Sequence, residues 1–357
     1  MKAVVLVGGE GTRLRPLTLS APKQMLPIVG VPMLERVLGN LAAHGIDEAI
    51  LSLGYLPDAF KEAYPDGMAA GIRLTYAVEP EPLDTAGAVR FAASHAAIDE
   101  TFVVINGDVL TDLDLGALIA FHRSHSAEGT IALHPVPDPS AFGVVPTDAD
   151  GRVIAFVEKP PRDEAPTNEI NAGTYVLEAS VLQRIASNGR VSIERETFPA
   201  MVRDHSLFAL SDDGYWLDTG TPAAFLQANF DVLDGRRGPV LAPGVSDRGD
   251  GVFVEGQSAL HGTVLGPSVV FAGCEVADSA RVTRSVLGQG SIIEAGAVVE
   301  DSVLMDGCHV AANAKVLGSV MGPRSTVGQR GDVRPVSVLG AGAVVSSGTM
   351  VDGERVV

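Results

Sequence analysis

Lys2-Ala3-Val4-Val5-Leu6-Val7-Gly8-Gly9-Glu10-Gly11-Thr12-Arg13-Leu14-Arg15-Pro16 is the stretch that decides how the first half of this chain folds. Residues 3–7 are apolar without interruption and rich in valine, the pattern of a strand buried on both faces of a parallel sheet. The run stops at paired glycines, as a strand does on entering a tight loop. Downstream, residues 32–43 place Met33, Leu34, Val37, Leu38 and Leu41 on one helical face, with Pro32 suited to the first turn and Gly45 to the stop. Residues 49–53 and 101–106 read as further strands, with helices expected over 57–64, 85–97 and 115–124. Strand alternating with helix predicts a Rossmann-like, doubly wound α/β sheet over residues 1–234. Ligands of such sheets lie outside the carboxyl ends of the strands, where Gly8-Gly9 and Gly107-Asp108 fall.

The rhythm changes after residues 235–250, a Gly- and Pro-rich, aperiodic stretch that reads as a linker. Val264, Val270, Val276 and Val282 recur every six residues, as do Val286, Ile292, Val298, Leu304, Val310 and Val316. Val327, Val333 and Val344 continue the series less regularly. A six-residue period with an inward β-branched side chain is the pattern of a hexapeptide parallel β-helix, expected here over 251–357. A β-sandwich would show a period of two instead. The 40 glycines and the 5% aromatic share agree with a region of tight turns and small side chains.

Composition limits the partners. The 357 residues carry 26 Lys and Arg against 44 Asp and Glu, a formal charge of −18, which argues against nucleic acid or an anionic membrane as the main partner. An apolar share of 46% with 20% charged residues is that of a folded protein. No apolar run reaches the ~18 residues of a membrane span, and the N-terminal run is too short for a signal-peptide core. Cys274 and Cys308 stand in no metal-type spacing. A cytoplasmic, reduced protein with both thiols as packing residues is therefore expected. The cations are not evenly spread: within residues 1–30, Lys2, Arg13, Arg15 and Lys23 face a single acid, Glu10.

Several residues could carry chemistry. A glycine-rich turn after a strand lets backbone N–H groups approach phosphate oxygens, although the same turn also serves a plain chain reversal. It is not a P-loop, because no Gly-Lys-Ser/Thr closes it, and Leu14 stands where a dinucleotide fingerprint needs its third glycine. Arg13 suits a terminal phosphate and Lys23 a phosphate near a reacting centre. Asp108, after a strand, and Asp218, close to the only tryptophan, Trp216, could hold a hard divalent cation. An Asp after a strand is also a common cap or turn former.

The string from Gly8 to Thr18 with Pro22-Lys23 closely resembles the signature of the sugar-phosphate nucleotidyltransferases, and is most similar to their mannose-1-phosphate guanylyltransferase branch. Asn106-Gly107-Asp108, Phe142-Gly143-Val144, Val157-Glu158-Lys159-Pro160, Asn171-Ala172-Gly173, Ser192-Ile193-Glu194-Arg195-Glu196 and Trp216-Leu217-Asp218-Thr219-Gly220 follow in the family's order. The resemblance covers nearly the whole chain, since such enzymes often append a left-handed hexapeptide β-helix. It implies transfer of a nucleoside monophosphate from an NTP, first of all GTP, to a sugar 1-phosphate, first of all mannose 1-phosphate. Pyrophosphate is the second product.

The resemblance also implies roles. Arg13, Lys23, Asp108, Lys159 and Asp218 would be catalytic, with Mg²⁺ held by Asp108 and Asp218. Gly8, Gly9, Gly11, Thr12, Glu79 and Gly87 would surround the nucleotide. Around the sugar, Glu158 would accept hydrogen bonds from hydroxyls, Lys159 would contact the phosphate, Asn171 would offer its amide, and Gly143 and Gly173 would leave room. Trp216 would pack and fix the loop carrying Asp218. No general base is required, because a sugar 1-phosphate already carries an anionic oxygen; the protein positions groups and offsets charge.

Base choice rests on Glu79. Guanine presents two adjacent donors, which one carboxylate accepts together; thymine and uracil present one N–H between carbonyls, which suits an amide. In this resemblance the thymidylyl enzymes have Gln where Glu79 stands. Lys23-Gln24 and Trp216 to Thr221 look equally thymidylyl-like, so a glucose-1-phosphate thymidylyl- or uridylyltransferase stays open, as does a non-catalytic nucleotide-sugar sensor. Asp84 replaces the family's usual Gly and is expected to cap the next helix. Hexapeptide β-helices also occur in acyltransferases, but His261 and His309 have no obvious carboxylate partner in sequence. A homo-oligomer through the β-helix is expected from its faces and open coil end.

Overall fold

A computed structural model describes residues 1–237 and 242–357, so part of the expected linker at 235–250 lies outside the described residues. Compactness divides the chain into two units. One comprises Met1–Glu10 and Leu34–Leu217, the other Gly11–Met33 and Asp218–Val357. The sequence boundary at 234 separates two rhythms. The compact units are drawn differently, because the segment after the glycine turn and the chain from Asp218 group with the β-helix.

In the first unit, β1 (Lys2–Leu6), β2 (Glu48–Leu53), β3 (Ile72–Val78) and β4 (Phe102–Asn106) form a parallel core in the order β3-β2-β1-β4. The order reverses beside β1, as in doubly wound sheets. β5 (Gly129–Pro135) and β6 (Glu169–Leu177) extend the sheet, β6 running antiparallel to both β4 and β5. Ala3, Val4 and Val5 are fully buried, which is what the unbroken apolar run requires of a strand covered on both faces. The helices are α1 (Met33–Ala43), α2 (Pro57–Ala63), α3 (Asp84–His95), α4 (Leu115–Ser124) and α5 (Phe198–Arg203). Val4, Ile50, Ala77 and Val104 meet Ala86, Val89 and Ala93 of α3 in one apolar cluster.

The second unit contains a left-handed parallel β-helix built as three sheets. Its interior columns are Val270-Leu287-Leu304-Met321-Leu339, Val276-Ile293-Val310-Val327-Val345 and Val282-Val299-Val316-Val333-Val351. Val286, Ile292, Val298 and Val344 were expected to point inward. They stand one residue before the inward positions, and Val344 is 64% exposed. The reason is coil length: the earlier strands pair at an offset of seventeen residues, as Val270 with Leu287 and Leu287 with Leu304, so one side of those coils is a residue short, whereas the last coil takes eighteen, as Met321 with Leu339. The hexad phase therefore slips at that corner. The expected linker also contains structure, since Val245–Asp247 pairs antiparallel with Val252–Glu255.

Serine ladders stitch the coils. The N–H of Ser285 donates to Ser268 Oγ at 3.1 Å and that of Ser302 to Ser285 Oγ at 3.2 Å. Cys274, Ser291, Cys308 and Ser325 repeat at the same spacing, so the two cysteines occupy serine-like rungs, each sulfur donating to a backbone carbonyl. Burial pushes the Cys274 thiol up to about 11 and the Cys308 thiol up to about 12. Neither thiol is therefore expected to react with a disulfide reagent at pH 8 in the folded protein, whereas both should react after denaturation. His309 does find a carboxylate: its Nε2 lies 2.7 Å from Glu294 Oε1, and this pair holds the Glu294 carboxyl below its usual range. Sequence separation of fifteen residues hid a contact that one coil of the helix creates.

Candidate functional site

The parallel strands of the first unit all deliver their carboxyl ends to one edge. There β1 gives Gly8 and Gly9, β2 gives Gly54 and Tyr55, and β3 gives Glu79, around a cleft of about 450 Å³. Residues 80–85 form its outer wall. Two glycines let these ends approach: a Cβ on Gly54 would stand 2.9 Å from the Gly8 carbonyl oxygen, and one on Gly8 would stand 3.2 Å from Glu79 Oε1. We expect Gly54→Ala to displace the Gly8-Gly9 turn, raising the KM for nucleotide about tenfold and costing about 1–3 kcal/mol of stability. Substrate titration and thermal melting of the variant would check both numbers.

Glu79 is held from two sides. Ser52 Oγ donates to its Oε1 at 2.9 Å and the Leu83 N–H to its Oε2 at 3.2 Å. A carboxylate offers about four acceptor directions, so both oxygens keep capacity for donors presented from the cleft. The wall carrying Leu83 is itself braced. Thr85 Oγ1 donates to Glu194 Oε2 at 2.8 Å, and the Ile193 N–H donates to Thr85 Oγ1 at 2.8 Å. Sequence reading singled out Ser192 to Glu196 only as a family motif; its local role is to clamp this wall. Ser52 and Gly54 were missed, though Gly54 after a strand carries the same signal as Gly8.

Asp84 does not act as the expected helix cap. It adopts a left-handed conformation with φ 60°, and its side chain takes only the N–H of Thr85. The free N–H groups of Ala86 and Gly87 donate instead to the Val191 carbonyl. Gly87 is buried in α3 against residues 189–191, so it braces the wall and lies outside the cleft lining.

A second group in the same unit surrounds β6. Asn171 donates from Nδ2 to the Tyr175 hydroxyl at 2.9 Å and accepts the Gly173 N–H at 3.0 Å. Burial pushes the Tyr175 phenol upward, so it stays a neutral partner. A Cβ on Gly173 would collide with the Asn106 side chain, which places Asn171, Gly173 and Asn106 together. Asp108 follows Gly107, whose N–H donates to the Leu6 carbonyl at the end of β1. Gly143 pairs with Glu158 across two short antiparallel strands. Lys159, with φ 48°, turns its ammonium back to within 3.1 Å of Glu158. Trp216 donates from Nε1 to the Ala172 carbonyl at 2.9 Å, stacks on His134 and meets Phe142 edge-on. The Phe142 carbonyl accepts the Lys159 N–H, so the tryptophan supports the lysine turn.

The remaining candidates belong to the second unit. Gly11, with φ 61°, opens a 3-10 turn of Thr12–Leu14. A Cβ there would press on Thr18 and on the Lys23 stem, so a left-handed glycine sets the spacing of the loop. Arg13 lies 3.7 Å from Asp218 Oδ2, while Asp218 Oδ1 accepts the Gly220 N–H at 2.8 Å. A Cβ on Gly220 would strike the Arg13 guanidinium. Asp218 is followed by α6 (Pro222–Leu233), capped by Thr221, whose hydroxyl accepts the Ala224 N–H at 3.2 Å.

Comparison with known proteins bears on both units. The nucleotidyl transferase family model matches residues 2–235, and the GMPPB C-terminal domain model matches residues 264–357. A mannose-1-phosphate guanylyltransferase of Mycobacterium tuberculosis is 43% identical over 297 residues, spanning 82% of this chain and 81% of the relative. A probable mannose-1-phosphate guanylyltransferase 3 of Oryza sativa subsp. japonica is 38% identical over 300 residues, spanning 81% of this chain and 82% of the relative. Among solved structures, HddC from Yersinia pseudotuberculosis superposes with a TM-score of 0.56 at 30% identity, covering 64% of this chain and 97% of that one. The same protein complexed with GMP-PN gives a TM-score of 0.54 at 29% identity, with the same coverage.

Proposed function

The chain belongs to the nucleotidyl transferase family, and from that premise we propose that it transfers GMP from GTP to mannose 1-phosphate, releasing pyrophosphate. The observation that carries the base assignment is Glu79, a carboxylate held by Ser52 and Leu83 at the floor of the strand-end cleft with acceptor capacity to spare. Guanine N1–H and its 2-amino group are the paired donors such a group reads. The nucleotide would rest on Gly8, Gly9, Gly11 and Thr12, whose backbone allows close approach of phosphate oxygens.

Arg13 and Lys23 would face the triphosphate, and Lys159 the sugar phosphate. Glu158 and Asn171 would take sugar hydroxyls, with Gly143 and Gly173 leaving space. An anionic phosphate oxygen of the sugar 1-phosphate then attacks the α-phosphorus. The new P–O bond forms as the bond to the β-phosphate bridging oxygen breaks, and pyrophosphate leaves. The residues act by alignment and by balancing charge, without accepting a proton.

A divalent metal fits the donor set. Asp218 spends Oδ1 on Gly220 and keeps Oδ2 beyond hydrogen-bond distance of Arg13, so a hard oxygen donor remains. Among the described residues no group of three or more His, Cys, Asp or Glu gathers, which leaves an ion's other ligands to water and phosphate. Asp108 and Asp218 would hold Mg²⁺, which when bound offsets charge on the α-phosphate and the attacking phosphate. No helix among the described residues is long and apolar enough to cross a membrane. A homo-oligomer would pack through the outer faces of the β-helix.

Pyrophosphate release measured with GTP, dTTP, UTP and ATP, each paired with mannose or glucose 1-phosphate, tests the proposal. Mg²⁺-dependent release greatest with GTP and mannose 1-phosphate is expected. A preference for dTTP with glucose 1-phosphate would overturn it.

A further inference from the structure

The segment Gly11–Met33 leaves the glycine turn, carries Arg13 and Lys23, and ends in a hairpin of Pro27–Ile28 paired with Val31–Pro32. At the hairpin tip Val29, a β-branched residue, sits at φ 46° and is fully buried. A left-handed β-branched residue is strained and persists only where its surroundings over-determine it. Two side chains do so. Asn229 of α6, fully buried, accepts the Val29 N–H at 2.8 Å and donates from Nδ2 to the Phe225 carbonyl at 2.8 Å. Phe271 of the β-helix lays its ring on Gly30 so closely that a Cβ there would collide with it.

A second contact lies nearer Arg13. Gly340, in a late coil of the β-helix, abuts Pro16, and a Cβ on Gly340 would stand 3.1 Å from that ring. The β-helix thus touches the cation-bearing segment on both sides of Lys23. Phe271 itself stands outside the apolar core of the coils, so its ring serves this contact and not the β-helix interior.

We propose that the β-helix is a working part of the transfer machinery, with Phe271 a positioning residue that sets the place of the segment bearing Arg13 and Lys23. The inference rests on the roles proposed above for those two cations. Phe271→Ala removes the ring that fixes Gly30 and frees the strained tip to relax. Misplacement of reacting groups by about 1 Å costs up to about 10²-fold, so the variant should lose about tenfold or more in kcat/KM.

The test uses the full-length chain, with pyrophosphate release and thermal melting measured on Phe271→Ala, Phe271→Leu, Gly30→Ala and the double variant Gly30→Ala/Phe271→Ala. Val344→Ser, on an exposed outer position of the same β-helix, is the control and should match the parent. Expected results are a lowered melting temperature for Phe271→Ala, a loss seated in the KM for nucleotide, partial rescue of both by Leu, and non-additivity in the double variant. Phe271→Ala with parental kinetics, or strict additivity with Gly30→Ala, would overturn the inference. An inactive parent chain would instead sink the proposed function and leave the contact itself to be judged by the melting cycle.

Discussion

Asp218→Asn is expected to lower turnover by about 10²- to 10³-fold while leaving the melting temperature unchanged. The side chain oxygen that accepts the Gly220 N–H survives in asparagine, so the turn into α6 keeps its internal bond. What disappears is the negative charge 3.7 Å from the Arg13 guanidinium and one of the two carboxylates assigned to the metal. Two consequences separate this account from simple misfolding. The variant should need more Mg²⁺ for half-maximal activity, and Arg13, relieved of its partner, should still allow nucleotide to bind. Steady-state pyrophosphate release against Mg²⁺ and GTP concentration reads both. Activity within about twofold of the parent would remove Asp218 from the machinery.

Glu79→Gln is expected to lower kcat/KM for GTP by about 10²- to 10³-fold while leaving UTP and dTTP nearly unaffected. The glutamine can keep its oxygen toward the Leu83 N–H and turn its amide nitrogen toward Ser52 Oγ, a hydroxyl able to accept, so the local fold survives. It can no longer accept two guanine donors together, and the charge that strengthens both bonds is gone. The measurement is kcat/KM for the three nucleotides on parent and variant. An equal loss for all three would mean that Glu79 only braces the cleft wall.

Much of the first unit was legible because its signals are local. Apolar run, glycine pair and helical stripe each occupy one element, and β1, β2, β4 and the helices fall within a few residues of expectation. Base and sugar candidates such as Glu79, Asn171 and Gly173 were found through motif order. The bonds that hold the cleft were less legible: Ser52 reaches Glu79 only through sheet register and Glu194 braces Thr85 from across the chain, whereas Tyr175 meets Asn171 within one strand.

The β-helix was legible as a period but misread in phase. A coil of seventeen residues is not a multiple of six, so a strict hexad count puts Ile292 inward where Ile293 belongs. The Asp84 cap failed for a different reason. A cap needs extended backbone, and Asp84 sits at φ 60° while Val191 takes the helix donors. Least legible was the grouping of Gly11–Met33 with the chain beyond Asp218, which brings Asn229 to Val29 across two hundred residues.

The central claim is that this chain makes a guanylyl sugar under the control of Glu79. The most direct measurement offers the protein equimolar GTP, dTTP, UTP and ATP with equimolar mannose and glucose 1-phosphate, Mg²⁺ present, and identifies the products by mass spectrometry. GDP-hexose as the dominant product, derived from isotope-labelled mannose 1-phosphate, is the predicted result. A dominant dTDP- or UDP-hexose, or no nucleotide sugar at all, would contradict it.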